Sequence, residues 1–159
     1  MGNDKSVIME QLHFFEELIP QIDAIYGRLA LCLKKMSPIL RKKSFNTDDQ
    51  ARLKDFLHSV HHELEDYDQL IRRGEAQRDF IRSEILRLKS QTPNGEEDYT
   101  VAEGELWSLE QSLLIREKGL LHLNELVQLL DSVYRVGEMT EFDERLLIEI
   151  VVDLKNLAG

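Results

Sequence analysis

The chain has 159 residues, of which 42% are hydrophobic and 31% are charged, and it contains only eight glycines and three prolines. This length is enough for one domain with a sizeable core, and so few turn-forming residues argue against the many short strands of an all-β fold. The formal net charge of −10 disfavours a protein that works mainly by neutralising nucleic-acid phosphates. A single all-α domain over residues 1–159 is expected.

Cysteine usage and the lack of long apolar runs bear on location. Cys32 is the only cysteine, so an internal disulfide is impossible, which fits a reducing compartment. No apolar run reaches the roughly 18 residues needed to span a membrane, and no segment resembles a secretory signal peptide. The opening MGNDKS fits the N-myristoylation pattern with Gly2 as the acylated residue, although cloning can leave the same Met-Gly start. A cytoplasmic protein without a transmembrane segment is expected.

The first predicted element is a helix at about residues 5–36. Its apolar positions recur in alternating steps of four and three residues, which is the spacing of one helix face. The series is Ile8, Leu12, Phe15, Ile19, Ile22, Tyr26, Leu29, Leu33 and Met36. Because Pro20 removes one helical hydrogen bond and crowds the preceding turn, a kink or a break is expected near Leu18. Ser37 followed by Pro38 is typical of a new helix start.

Two long helices joined by a loop are predicted next, over about residues 47–136. Asn46 or Thr47 is suited to cap the first of them, and the breakers in SQTPNGEED place the loop at about residues 90–99. The apolar series again alternates four and three on both sides of this loop. A shorter last helix is predicted at about residues 141–157. The expected fold is therefore an elongated antiparallel helical bundle with a long two-helix coiled-coil hairpin.

The hairpin implies a pairing rule for its two helices. Because a short loop makes them antiparallel neighbours, residues that face each other should have numbers that sum to about 190. The rule brings Arg82 near Glu110 and Lys89 near Glu103, and both pairs are attractive. It also brings Glu84 near Glu105 and Glu75 near Glu117, and both of these pairs are repulsive. Such exposed pairs contribute about 0.2–1 kcal/mol each, so they can adjust the register but do not decide the fold.

The polar interruptions of the two apolar series form one layer under the same rule. Gly74 lies opposite Arg116, and Arg78 lies opposite Leu113. A glycine leaves room for a long side chain on the facing helix. Gly74, Arg78 and Arg116 are therefore expected to form a polar layer within the hairpin.

The segment HSVHHELED, residues 58–66, has the composition of a metal site. His58, His62 and Glu65 fall on the outer face of the helix and His61 on its flank, at spacings that allow two histidines and a carboxylate to converge on one ion. A functional site would also need ligands from another helix and hydrogen-bonding groups that orient them. The expected interpretation is a solvated polar face, and a metal-binding bundle acting as a sensor or an enzyme is the alternative.

Basic residues cluster in the second half of the first hairpin helix. They are Arg72, Arg73, Arg78, Arg82, Arg87 and Lys89. Glu75, Asp79 and Glu84 are interleaved among them and weaken the positive field. A nucleic-acid contact through this arm is a second alternative to the expected solvated face.

The sequence contains no pattern typical of an enzyme: it has no glycine-rich phosphate loop, nucleophile elbow or Cys-His arrangement. A non-catalytic protein-protein interaction module without a cofactor is expected, in the role of an adaptor, an assembly subunit or a partner-specific chaperone. It would bind an amphipathic partner helix, or a second copy of itself, through apolar helix flanks. The predicted partner-binding residues are Phe14, Leu18, Ile25, Arg72, Arg73 and Arg82.

Overall fold

The protein is all-α. The computed structural model describes residues 2–91 and 98–158, apart from the side chains of residues 2–4, 154, 157 and 158. Four helices account for most of these described residues, and no strand occurs among them. The helices are α1 (Gly2–Leu40), α2 (Thr47–Gln91), α3 (Thr100–Val136) and α4 (Glu141–Ala158). The prediction of an all-α fold is confirmed, whereas the elongated bundle and the coiled-coil hairpin stay predictions.

Helix α1 runs through both of its prolines. The break expected near Leu18 does not occur, because the helix continues through Pro20 as far as Leu40 and is longer than the predicted 5–36. Pro20 is exposed, so its ring takes no space in the core, and the lost hydrogen bond is offset by the burial of apolar residues such as Ile22 on the opposite side of the helix. Pro38 lies in the last turn of α1, so the new helix start expected there was wrong.

Helix α2 begins at a reciprocal cap. The backbone N–H of Asp49 donates to Asn46 Oδ1 at 2.8 Å, and the backbone N–H of Asn46 donates to Asp49 Oδ2 at 3.1 Å. This arrangement resembles a capping box and confirms Asn46 as the cap. Asp49 is buried, and its carboxylate accepts two hydrogen bonds from Lys42 Nζ, at 2.9 and 3.0 Å. The hydrogen bond from Lys42 and that from the Asn46 backbone hold the pKa of Asp49 below its ordinary value.

Replacement of Asn46 by alanine should lower the free energy of unfolding by about 1 kcal/mol, because an N–H group at the start of α2 loses its acceptor.

The contribution of Asp49 to the free energy of unfolding should depend on pH. Since folding lowers the pKa of Asp49, that contribution is present above the unfolded-state pKa, about 4, and is lost as the pH falls through the folded-state pKa. Denaturant unfolding of the wild type and of Asp49→Asn at several pH values measures it. A stability difference that does not shrink in acid would contradict the expectation.

Side chains cap the starts of α3 and α4, and a glycine follows the end of α3. Asp98 Oδ1 accepts from the backbone N–H of Thr100 at 2.9 Å, and hydrogen bonds from Thr100 lower the pKa of Asp98. At α4, Thr140 Oγ1 accepts from the N–H of Asp143 at 3.1 Å. Gly137 follows α3 with a φ of 83°, a conformation that favours glycine. The loop predicted at residues 90–99 falls mostly on residues 92–97, which lie outside the described part of the chain.

The chain divides into two compact units. Unit 1 comprises Met1–Asp23 and Gln69–Arg116, so it draws on α1, α2 and α3. Its buried apolar residues include Ile8, Leu12, Phe15, Ile81, Ile85, Leu106 and Leu113. Unit 2 comprises Ala24–Asp68 and Glu117–Gly159 and draws on all four helices. Its buried apolar residues include Leu29, Met36, Leu57, Val60, Leu123, Leu130 and Ile150. The prediction of a single domain stays a prediction.

Within unit 1, two ion pairs connect α2 and α3. Arg82 Nη2 donates to Glu110 Oε1, and Lys89 Nζ donates to Glu103 Oε1 at 3.0 Å. Both pairs are those that the pairing rule predicts. From the first pair to the second, the residue number rises on α2 and falls on α3. The two helices are therefore antiparallel over this stretch.

Candidate functional site

The histidine segment lies on the surface of α2. His61 Nε2 is 3.0 Å from both carboxylate oxygens of Asp131 in α3, whereas His58, His62 and Glu65 are exposed. Within residues 2–91 and 98–158, no group of three or more His, Cys, Asp or Glu side chains is placed to hold a metal ion. The solvated polar face and the metal-binding alternative both stay predictions.

Four members of the basic cluster of α2 pair with carboxylates of the same unit. Arg87 Nη2 donates to Glu84 at 2.7 Å, and this hydrogen bond lowers the pKa of Glu84. Arg78 Nε donates to the neighbouring Asp79 at 3.0 Å. The two ion pairs with α3 engage two further members of the cluster. These carboxylates offset much of the positive field that a nucleic-acid contact would need.

The predicted polar layer separates into an apolar contact and an ion pair with α1. A Cβ at Gly74 would lie 3.0 Å from Leu113 Cδ1, so Leu113 faces this glycine, where Arg116 was expected. Arg116 donates instead to both carboxylate oxygens of Asp23, at 2.9 and 2.8 Å. Gly74 and Leu113 are buried, whereas Arg116 at the edge of the core keeps part of its guanidinium in water. Arg78 is half-buried on α2.

Three of the predicted partner-binding residues meet in unit 1. Phe14, Leu18 and Arg73 lie around a shallow groove of about 280 Å³ between α1 and α2. Its lining residues are Phe14, Glu17, Leu18, Gln21, Arg73 and Gln77. Arg72 and Arg82 are exposed on α2 but do not line it. The groove is small, and most of its lining side chains are polar or charged.

The apolar members of the predicted set differ in accessibility. Leu18 and Ile25 are 8% and 4% exposed and belong to the cores of their units, whereas Phe14 is 47% exposed. Of these three side chains, only Phe14 offers a partner an accessible apolar surface.

A larger and more apolar groove lies in unit 2 between α1 and α4, with a volume of about 540 Å³. We call it the α1–α4 groove. The residues from α1 and the turn after it recur at helical spacing: Tyr26, Ala30, Leu33, Lys34, Ser37, Leu40 and Arg41. The residues on the other side are Met139, Glu144, Leu147, Ile148, Val151 and Lys155. Two amphipathic helix faces thus leave apolar surface between them that neither covers.

The rim of the α1–α4 groove is locally basic. Lys34, Arg41 and Lys155 carry positive charge and Glu144 carries negative charge, so the lining has three cations and one anion and a net charge of +2. The whole chain has a formal net charge of −10. Burial also raises the pKa of Tyr26, as expected for a phenol at the edge of an apolar cleft. The groove is therefore apolar along its floor and positive at its rim.

The sequence contains a signal for this groove that the four-three spacing of apolar residues does not capture. Six of the seven residues from 146 to 152 are apolar, which is more than one helix face can hold. Ile150 is buried, but Ile148 and Val152 are exposed. An apolar arc wider than one buried face indicates surface left for another contact.

No helix in the described ranges is both long and apolar enough to cross a lipid bilayer. No protein-family model, no curated protein sequence and no solved structure matches the chain. The side-chain geometry of the two units is thus the basis for a functional proposal.

Proposed function

We propose that the protein is a non-catalytic interaction module that binds an amphipathic helix of a protein partner in the α1–α4 groove. The observation that carries the proposal is the uncovered apolar strip between two helices, with Ile148 56% exposed on one wall. Helix-in-groove recognition uses such a strip, because anchors at i, i+3, i+4 and i+7 of the partner enter it together. Such a groove would serve an adaptor, an assembly subunit or a partner-specific chaperone.

The length of the groove favours a helix over a compact ligand. The lining positions from Tyr26 to Arg41 span about 22 Å at 1.5 Å per residue. A partner helix of about four turns matches that length. Its apolar face would cover the side chains of Leu33, Leu147 and Ile148, and its polar face would stay in water.

The charge of the rim favours one kind of partner helix. Lys34, Arg41 and Lys155 would attract Asp and Glu residues on the flanks of the partner, and the strongly acidic remainder of the chain would disfavour binding elsewhere on its surface. The proposed partner is therefore an amphipathic helix with acidic flanks. A cytoplasmic setting is part of the proposal, since Cys32 is a free thiol.

A displayed peptide library tests the proposal. Helical peptides of about 16 residues carry apolar side chains at i, i+3, i+4 and i+7, while their flanking positions are randomised. Selection on the full chain should enrich Asp and Glu at the flanks, and a photo-crosslinker at position 148 should capture the enriched peptides. Enrichment of Lys and Arg, or capture only by a crosslinker outside the groove, would overturn the proposal.

The matched control reverses the charge of the groove rim. Lys34→Glu, Arg41→Glu and Lys155→Glu change exposed side chains, so helix content should be unchanged. Selection on this triple variant should favour basic flanks. The same acidic preference in both selections would show that the rim does not choose the partner.

A further inference from the structure

A second apolar surface lies in unit 1, on one side of α2 and α3. Leu86 and Trp107 are 63% and 64% exposed, and both line one depression with Ile85 and Leu106 at its base. Leu114, two turns beyond Trp107 on the same side of α3, is also exposed. Tryptophan and leucine side chains clustered in this way indicate a binding surface. We call it the hairpin face, defined by Arg82, Ile85, Leu86, Lys89, Glu103, Leu106, Trp107 and Glu110.

The charges of the hairpin face are sorted by helix. Its charged residues on α2 are Arg82 and Lys89, both basic, and those on α3 are Glu103 and Glu110, both acidic. The α2 edge of the apolar centre therefore carries the cations and the α3 edge carries the carboxylates, and each cation is already paired with a carboxylate of its own chain. A surface of this kind is complementary to itself, provided that the basic edge of one copy meets the acidic edge of the other.

We propose that the hairpin face binds a second copy of the chain, with the two-fold axis parallel to α2 and α3. A rotation about that axis lays α2 of one protomer over α3 of its partner. Because α2 and α3 are antiparallel in each chain, a residue of α2 then faces, in the partner, the same α3 residue that it faces within its own chain. Arg82 then meets the partner's Glu110, Lys89 meets the partner's Glu103, and Leu86 covers the partner's Trp107.

A two-fold axis in the plane of the interface but perpendicular to the helices is unfavourable. An axis perpendicular to the helices would lay α2 over α2 and α3 over α3. Arg82 and Lys89 would then face the same cations of the partner, and Glu103 and Glu110 would face the same carboxylates. The charge pattern thus favours the axis parallel to the helices over the perpendicular one.

This inference concerns a different unit and different residues from the α1–α4 groove. The groove belongs to unit 2, and the hairpin face belongs to unit 1. Either surface can therefore fail its test without affecting the other.

The first test uses the intrinsic fluorescence of the full chain. Trp107 is the only tryptophan, so its emission reports on this surface alone. On dilution, the emission should shift to the red as Trp107 becomes hydrated, and light scattering should show the mass fall from dimer to monomer over the same range. A chain that is monomeric at every concentration, or a dimer in which Trp107 keeps a fully hydrated emission, would overturn the proposal.

The second test uses substitutions. Leu86→Asp should raise the dissociation constant of the dimer at least about 30-fold, as for removal of an anchor at the centre of an interface. Ile148→Asp, in the groove of unit 2, is the matched control and should leave it unchanged. A dimer that Leu86→Asp does not weaken would contradict the proposed surface.

The third test recombines the charged edges. Arg82→Glu with Lys89→Glu makes both edges acidic, and Glu103→Lys with Glu110→Lys makes both basic. Each double variant should associate about tenfold or more weakly than the wild type, whereas their equimolar mixture should recover association as a heterodimer. Because recovery requires both folded variants, loss of folding cannot imitate it. Undiminished self-association of both variants would rule out the proposed axis.

Discussion

Replacement of Phe15 by alanine is expected to lower the free energy of unfolding by about 3–5 kcal/mol. Phe15 is 0% exposed in the core of unit 1, so the change removes buried apolar surface and leaves a cavity. Typical domains have a total stability of about 5–15 kcal/mol, so such a loss would leave little reserve. Denaturant unfolding followed by circular dichroism and by the emission of Trp107, which lies in the same unit, measures it.

The neighbouring phenylalanine is the control for this substitution. Phe14 is 47% exposed, and Phe14→Ala should cost about 1 kcal/mol or less. The two variants lose the same atoms at adjacent positions of one helix. Equal losses in the two variants would mean that burial does not determine how much Phe15 contributes to the free energy of unfolding.

Replacement of Ile148 by aspartate is expected to weaken binding of the selected acidic-flanked peptides by about 100-fold or more. The new carboxylate would lose hydration when the apolar face of the peptide covers it, and about 2.7 kcal/mol of lost binding free energy corresponds to a factor of 100. Ile148 is exposed in the free protein, so the substitution should leave helix content and thermal unfolding nearly unchanged. Fluorescence anisotropy of a labelled peptide measures the affinity.

Phe142→Asp is the matched control on the same helix. Phe142 is 72% exposed and does not line the α1–α4 groove, so its replacement should leave peptide affinity within about threefold of the wild type. Comparable losses in the two variants would indicate a general effect of charge on α4, and the peptide would not then be binding in the groove.

Local patterns in the sequence were sufficient to place the helices. The four-three alternation of apolar residues identified Phe15, Ile22 and Leu29 as buried positions, because one helix face must meet the core. The caps at Asn46 and Thr140 were also predictable, since a short polar side chain satisfies the N–H groups of the next turn. The Arg82–Glu110 pair followed from antiparallel register alone.

Other features depended on packing between helices, which no local pattern in the sequence describes. Pro20 does not interrupt α1, because the apolar packing on both sides of it outweighs one missing hydrogen bond. Leu113 rather than Arg116 faces Gly74, because a buried position favours an apolar side chain while the guanidinium reaches Asp23 near the surface. Leu18 and Ile25 were expected to be partner anchors, but both are buried in the cores of their own units.

The sequence by itself determined the helical class, most helix boundaries and the identity of the main buried face on each helix, because these depend on residue spacing and on hydrogen bonds within a few residues. Only the tertiary structure decided which secondary apolar positions remain uncovered. Ile148 and Trp107 are apolar residues of amphipathic helices, like many buried ones, but they are 56% and 64% exposed. Exposure of this kind is a property of the assembled helices, and it is the feature that identifies both the α1–α4 groove and the hairpin face.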